Sequence, residues 1–221
     1  MNFKYSIIIP VYNEISSIAP LISELEPYAK EGHQVIIIDD GSTDGSSEIL
    51  SKNKFINLIS FDRNHGKGIA SRAGLAKKIN KKLIIFDGDR ELNPQSIQNL
   101  MILDKAKGIE CVFASRYKNK IDIDSIWNLG NLIITKLFNY VNGANLVDAL
   151  CCAKSFYKSD LNFKDLDSKK FDIDVELACR LIKKKNKTVY IEYERRKKKD
   201  GKKLGIEDSL RIIYRIFKSK I

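Results

Sequence analysis

Two aspartates one residue apart, Asp87-Gly88-Asp89, directly follow the apolar run KLIIF at 82–86. Carboxylates held that close repel one another unless a cation lies between them. Mg2+ or Mn2+ meets that need, because such ions take one or two carboxylates and complete their shell with phosphate oxygens and water. Polar residues end three other apolar runs in the same way: Pro10-Val11-Tyr12-Asn13-Glu14, Asp39-Asp40-Gly41-Ser42 and Ser115-Arg116-Tyr117. The planar guanidinium of Arg116 matches phosphate oxygens bidentately. Lys67 is a further phosphate partner, set between Gly66 and Gly68 on a backbone that a ligand can approach closely. Candidate general bases in the second half are Asp148, Asp174 and Glu176, and no spacing singles one out.

These residues need a scaffold that brings strand ends together. Residues 6–11, 35–39, 56–61, 82–86 and 111–114 read as strands. They are rich in Ile and Val without clean alternation, as expected where both faces of a parallel sheet are covered. Between them Ile18, Leu21, Ile22 and Leu25 make one helical face, which Ser16 or Ser17 could cap, and residues 43–52 and 68–79 carry weaker helical patterns. The expected class is α/β, a mostly parallel, doubly wound sheet flanked by helices, with ligands beyond the carboxyl ends of its strands. Further on, helices are expected near 127–142 and 174–184 and strands at 146–153 and 188–193. A basic amphipathic helix is expected at 206–221, with Ile206, Leu210, Ile213, Tyr214, Phe217 and Ile221 as its apolar stripe.

The chain of 221 residues carries a net charge of +11, and a large share of it lies in the lysine- and arginine-rich stretch 183–203. Such a surface favours anionic partners: nucleic acid, an acidic membrane or phosphorylated substrates. Aromatic residues do not interleave with the basic run as stacking platforms for nucleic acid would. Four cysteines without a CxxC pair, and only two histidines, supply no zinc ligand set and point to reduced, buried thiols in a cytoplasmic compartment. No stretch has the roughly 20 continuous apolar residues of a spanning helix.

SIIIPVYNE (6–14), VIIIDDGSTDGS (35–46), NHGKGIASRAG (64–74), FDGD with Glu91 and Pro94, and ASRY (114–117) occur here in one order. In that order they resemble the inverting family 2 glycosyltransferases of the GT-A fold, especially the polyprenyl-phosphate sugar synthases. The resemblance implies a donor and metal half at 1–117, an acceptor half at 118–205, and the C-terminal helix at 206–221. It implies that Pro10, Tyr12, Glu14, Ile38 and Asp40 line the base and ribose pocket. Asp87, Asp89 and Glu91 would hold the metal, with Gly88 between the aspartates, although the family more often has Gln in place of Glu91. Arg116 would recognise phosphate, and Asp89, Arg116 and Asp148 are the expected catalytic residues. The expected reaction moves a sugar from a GDP- or UDP-sugar to a polyprenyl or dolichyl phosphate at the cytoplasmic face of a membrane, with peripheral attachment.

The acceptor side departs from the family pattern. No arginine precedes Gly130-Asn131, Cys151-Cys152-Ala153 replaces Ser-Gly-Phe, and the late arginine motif is reduced to Arg196…Gly201-Lys202-Lys203-Leu204. Arg196 and Lys203 remain candidates for gathering a lipid headgroup or donor phosphate. A glycan or other hydroxyl acceptor is the alternative within the class. A nucleotidyltransferase would show a glycine-rich loop in place of PVYNE. A basic nucleic-acid-binding protein and a transferase retained as a scaffold complete the alternatives.

Overall fold

The computed structural model describes residues 4–77, 80–118, 120–121, 125–191 and 205–218. Four strands, β1 (Tyr5–Val11), β2 (Gln34–Asp39), β3 (Ile56–Ser60) and β4 (Lys82–Ile85), run parallel. Three more, β5 (Cys111–Ser115), β6 (Lys154–Tyr157) and β7 (Asn186–Tyr190), complete one sheet in the order β3-β2-β1-β4-β6-β5-β7. Every residue of β1 is buried, because β1 lies inside the sheet and both of its faces are covered. That accounts for its lack of alternation.

Helices α1 (Ile15–Lys30) and α2 (Ser46–Ser51) cover one face. Helices α3 (Lys67–Leu75), α4 (Ile126–Asn142), α5 (Ile173–Leu181) and α6 (Ile206–Lys218) cover the other. Ile18, Leu21 and Leu25 of α1 are fully buried against Ile7, Ile9 and Ile37; burial of such a side chain is worth about 1.5–3 kcal/mol. Neither Ser16 nor Ser17 caps α1: the N-cap is Glu14, whose side chain makes no capping hydrogen bond.

The strand expected at 146–153 does not form there; the strand is β6, at Lys154–Tyr157, antiparallel to both β4 and β5. The preceding segment is held by side chains instead of a ladder. Asn139 of α4 accepts the Leu146 N–H at 3.0 Å and donates to its carbonyl at 2.8 Å, and Thr135 accepts the Ala149 N–H. A fully buried lysine, Lys154, opens β6 and donates to the Cys151 carbonyl, so an apolar pattern could not locate the strand. All four cysteines are free and buried.

Candidate functional site

The loops after β1 and β2 are stitched together by the polar residues of DDGSTDGS. Asn13, in the left-handed region at φ 53°, donates its N–H to Ser42 Oγ at 2.9 Å and accepts the Thr43 N–H at 2.8 Å. Ile15 N–H reaches Asp44 at 2.9 Å, and Glu14 N–H reaches Ser46. These bonds satisfy donors at the start of α1 that would otherwise lack partners, and they present half-buried Tyr12 and Glu14 at the rim. Ile38 does not reach that rim. It is fully buried in the core beside α3, and Pro10 is buried in β1. Asp40 is buried as well, and its carboxylate accepts from Asn64 Nδ2 (3.0 Å) and from the N–H groups of His65 and Gly66 (both 2.8 Å). Asp40 therefore shapes the 64–66 turn.

Gly66 and Gly68 were expected to admit a ligand; a segment of the same chain fills the space. A Cβ on Gly66 would lie 2.4 Å from the Lys169 carbonyl oxygen, and one on Gly68 2.5 Å from that of Ser168. The Lys169 carbonyl accepts the Gly68 N–H at 3.1 Å. The loop before α5 is thereby fastened to the start of α3.

That fastening sets Lys67 between two aspartates. Its ammonium lies 2.7 and 2.8 Å from the two oxygens of Asp87, at the carboxyl end of β4, and 2.7 Å from Asp174 Oδ2 on α5. Burial disfavours the Lys67 charge, but the carboxylates of Asp174 and Asp87 outweigh it and hold its pKa well above the usual lysine range. Burial pushes the Asp174 pKa up, with Asp87 adding to the rise and Lys67 opposing it. Asp174 Oδ1 is buried and accepts no hydrogen bond, whereas buried Asp87 Oδ1 meets the Lys67 ammonium at 2.7 Å.

Gly88 is required by packing: a Cβ there would lie 2.6 Å from Val11 Cγ2. Asp89 Oδ1 accepts the Glu91 N–H at 3.0 Å, and its backbone carbonyl accepts from Ser17 Oγ of α1. Between them Arg90, left-handed at φ 58°, forms a two-pronged ion pair with Glu24 of α1. Ser17, Glu24 and Arg90 thus hold the acidic turn. Only Arg90 lies near the motif in sequence, and nothing in its type distinguishes it from a surface arginine.

Among the described residues no three His, Cys, Asp or Glu side chains gather closely enough to hold a metal alone. Asp87, Asp89 and Glu91 therefore form no closed cage, as the expected three-ligand set would require. The chemistry of the set still fits a hard divalent cation. Half-buried carboxylates at 87 and 89 and the unbonded, buried Oδ1 of Asp174 supply oxygen ligands, which suits an ion that draws its remaining ligands from phosphate and water.

Arg116 and Asp148 form a separate pair. Arg116 Nε and Nη2 donate to the two oxygens of Asp148 at 2.7 and 2.9 Å, and the Arg116 N–H adds a third bond. The Asp148 side chain is 0% exposed. Burial alone would raise its pKa, but the Arg116 guanidinium holds it below the ordinary aspartate value. Such an acid is a poor proton acceptor. Asp148, expected as catalytic, is an anchor for Arg116. Glu176 is also engaged, accepting the N–H groups of Asp167 and Ser168 and lying 3.4 Å from Arg215. Arg196 and Lys203 lie outside the described residues.

A family model described as "Glycosyl transferase family 2" matches residues 6–163. The chain is similar to an uncharacterized glycosyltransferase, YkcC, of Bacillus subtilis (strain 168), with 35% identity over 127 residues covering 54% of this chain and 39% of that protein. It is also similar to an undecaprenyl-phosphate 4-deoxy-4-formamido-L-arabinose transferase of Yersinia pestis (strain Pestoides F), with 28% identity over 162 residues covering 69% of this chain and 48% of that protein. The chain spans less than half the length of both relatives. Among solved structures, Mycobacterium tuberculosis glucosyl-3-phosphoglycerate synthase in complex with Mn2+, UDP and glucosyl-3-phosphoglycerate superposes with a TM-score of 0.68. The identity is 15%, with 99% of this chain and 80% of that one covered, and the likeness is one of fold.

Proposed function

The chain belongs to glycosyl transferase family 2, and we propose that it transfers a sugar from a GDP- or UDP-sugar to the phosphate of a polyprenyl lipid. In this reading an acceptor phosphate oxygen attacks the anomeric carbon from the face opposite the donor diphosphate. The bond to the diphosphate breaks, its electron pair leaves with the nucleoside diphosphate, and the configuration inverts. Residues 1–117 supply the donor half and 118–205 the acceptor half. Asp87 and Asp89, with Glu91 beside them, would hold Mg2+ or Mn2+, which when bound would stabilise the charge on the departing diphosphate. Tyr12 and Glu14 face the base and ribose, and Arg116, held by Asp148, is directed to phosphate.

The observation that carries the reading is the state of the three candidate bases. Asp148 is paired with Arg116, Asp174 with Lys67, and Glu176 with Arg215 and backbone N–H groups. A hydroxyl acceptor needs a base free to take its proton; a lipid phosphate already carries nucleophilic charge and needs none. The Yersinia relative's name, which specifies an undecaprenyl-phosphate acceptor, supports the same choice. A glycan or other hydroxyl acceptor is the second reading, on the strength of Asp174 Oδ1, a buried carboxylate oxygen that accepts no hydrogen bond.

Peripheral membrane contact belongs to this proposal. No helix among the described residues is long and apolar enough to cross a membrane. Helices α4 and α6 pack on one another yet expose Ile126, Ile133 and Tyr140 on α4 and Leu210, Tyr214 and Phe217 on α6, flanked by the half-exposed cations Arg211 and Lys218. Free buried thiols suit a reducing compartment, and hence the cytoplasmic face.

The test is calorimetric titration of GDP, UDP and their sugars with and without Mn2+, on wild type and Asp89→Ala, followed by transfer to undecaprenyl phosphate. Metal-dependent binding that Asp89→Ala abolishes, with label appearing in the lipid, is expected. Absence of binding by every nucleotide would overturn the donor assignment. Binding without transfer to lipid phosphate would move the acceptor to a hydroxyl.

A further inference from the structure

Lys67 lies between two acids that a metal-binding role would assign to the cation. Its ammonium is within 2.8 Å of both Asp87 oxygens and 2.7 Å from Asp174 Oδ2, and its side chain is 11% exposed. A divalent ion bound to a carboxylate oxygen sits at about 2.0–2.1 Å from it for magnesium-sized ions. At Asp87 such an ion and the ammonium would compete for the same lone pairs, in a partly desolvated space where two adjacent cations repel strongly.

We propose that Lys67 is a built-in counter-ion that keeps Asp87 closed to divalent metal until a nucleoside diphosphate draws the ammonium away. The inference rests on the reading of Asp87 and Asp89 as the metal site. The backbone of Lys67 is pinned, since the neighbouring glycines abut the 168–169 segment, so the exchange is confined to the side chain. A four-carbon stem carrying a compact charge can turn from carboxylate to phosphate without moving α3. A diphosphate supplies the alternative anion that the ammonium needs, because leaving Asp87 for no partner would strand a partly buried charge. Metal and nucleotide would then bind as a pair, each weak without the other. An idle enzyme would hold little metal.

One buried carboxylate oxygen beside Lys67 is left over. The ammonium lies against both oxygens of Asp87 but only Oδ2 of Asp174, and leaves Asp174 Oδ1 without a hydrogen bond. That acceptor is in reserve for the ion that replaces the ammonium.

The test is direct titration of Mn2+, followed by electron paramagnetic resonance of the free ion, with and without GDP or UDP. The proteins are wild type, Lys67→Met, Lys67→Gln and Lys67→Arg, with thermal unfolding as the check on folding. Lys67→Gln keeps a hydrogen-bond donor between the acids and is the decisive neutral variant if Lys67→Met does not fold. Without nucleotide, the neutral variants are expected to bind Mn2+ at least about tenfold more tightly than wild type, a change of about 1.4 kcal/mol. They should also lose most of the strengthening that nucleotide confers, whereas Lys67→Arg stays as weak as wild type. Unchanged or weakened Mn2+ binding in the neutral variants would overturn the exchange while leaving the metal site standing. No Mn2+ binding by wild type or any variant, even with nucleotide, would remove the metal site and the inference together.

Discussion

Asp148 shows how much a residue's meaning depends on its partner. As a lone acid in the acceptor half it reads as a general base, but with both oxygens on Arg116 and no exposed side-chain surface it is a fixed negative charge. Breaking a buried pair by removing one charge costs about 3–5 kcal/mol. Asp148→Asn is therefore expected to lower the urea midpoint markedly, and donor binding should weaken because Arg116 is no longer oriented. A variant as stable as wild type would show that Arg116 has another anchor. Asp40 and Lys67 carry the same lesson. Both were legible as residues of interest from their place after a strand or between glycines, but neither partner was. Asp40 answers the 64–66 turn, and Lys67 answers an aspartate 107 positions away.

At the scale of elements, α6 is fastened from within. Arg215 is buried and bonds Asp172 at 2.9 Å, contacts Asp167, and lies 3.4 Å from Glu176, while Lys218 also contacts Asp167. The helix is thus tied to the loop that fastens α3 and to the N-terminal end of α5, which carries Asp174. Arg215→Met would leave Asp172 and Glu176 buried with weaker compensation; the expected loss is about 3–5 kcal/mol, with α6 the first element cut in limited proteolysis. The same tie predicts an acid response. The hydrogen bond from Lys218, supported by Arg215, lowers the Asp167 pKa to about 2. A depressed folded-state pKa means stability that is complete above the unfolded value, about 4, and is lost as pH falls through about 2. Thermal melts between pH 6 and pH 2 should show that fall, and Asp167→Asn should flatten part of it. An identical profile in the variant would rule out Asp167 as the group responsible.

The strand boundaries legible in sequence included buried β1 and β2 and half-exposed β3, expected at 56–61 and found at Ile56–Ser60. β1 and β2 could be read because a run of Ile and Val has few other uses in a chain of this composition. β6 could not be read, since it opens on a buried lysine that makes its hydrogen bond to the turn before it. The C-terminal helix was legible as amphipathic, but its docked face was not. The structure buries Ile212, Arg215 and Ile216 and turns Leu210, Tyr214 and Phe217 outward. The helix carries apolar residues on two faces, and periodicity alone does not say which of them meets the core.

For the molecule as a whole, the exposed apolar residues of α4 and α6 and a net charge of +11 suit an acidic lipid surface, where apolar insertion and electrostatic attraction act together. Wild type is expected to sediment with vesicles containing anionic lipid and to be released by high salt. Replacing Leu210, Tyr214 and Phe217 together by glutamate should abolish sedimentation without lowering the melting temperature, because those side chains face outward. Retained sedimentation would exclude α6 as the contact; a lowered melting temperature would mean that the outer face packs on protein.

Composition and the order of motifs determined that this is an α/β chain with the family 2 glycosyltransferase pattern and a DxD pair after its fourth strand. Those features are local. A strand pair buried on both faces, a turn glycine and adjacent carboxylates each state their physical need within a few residues. The tertiary structure alone decided that β6 enters antiparallel between β4 and β5, that Asp148 belongs to Arg116, and that Asp174 rather than Glu176 meets Asp87 across Lys67. Each of these is a contact between segments distant in sequence, and the energy of a buried charge is set by the neighbour that neutralises it, which no local pattern specifies.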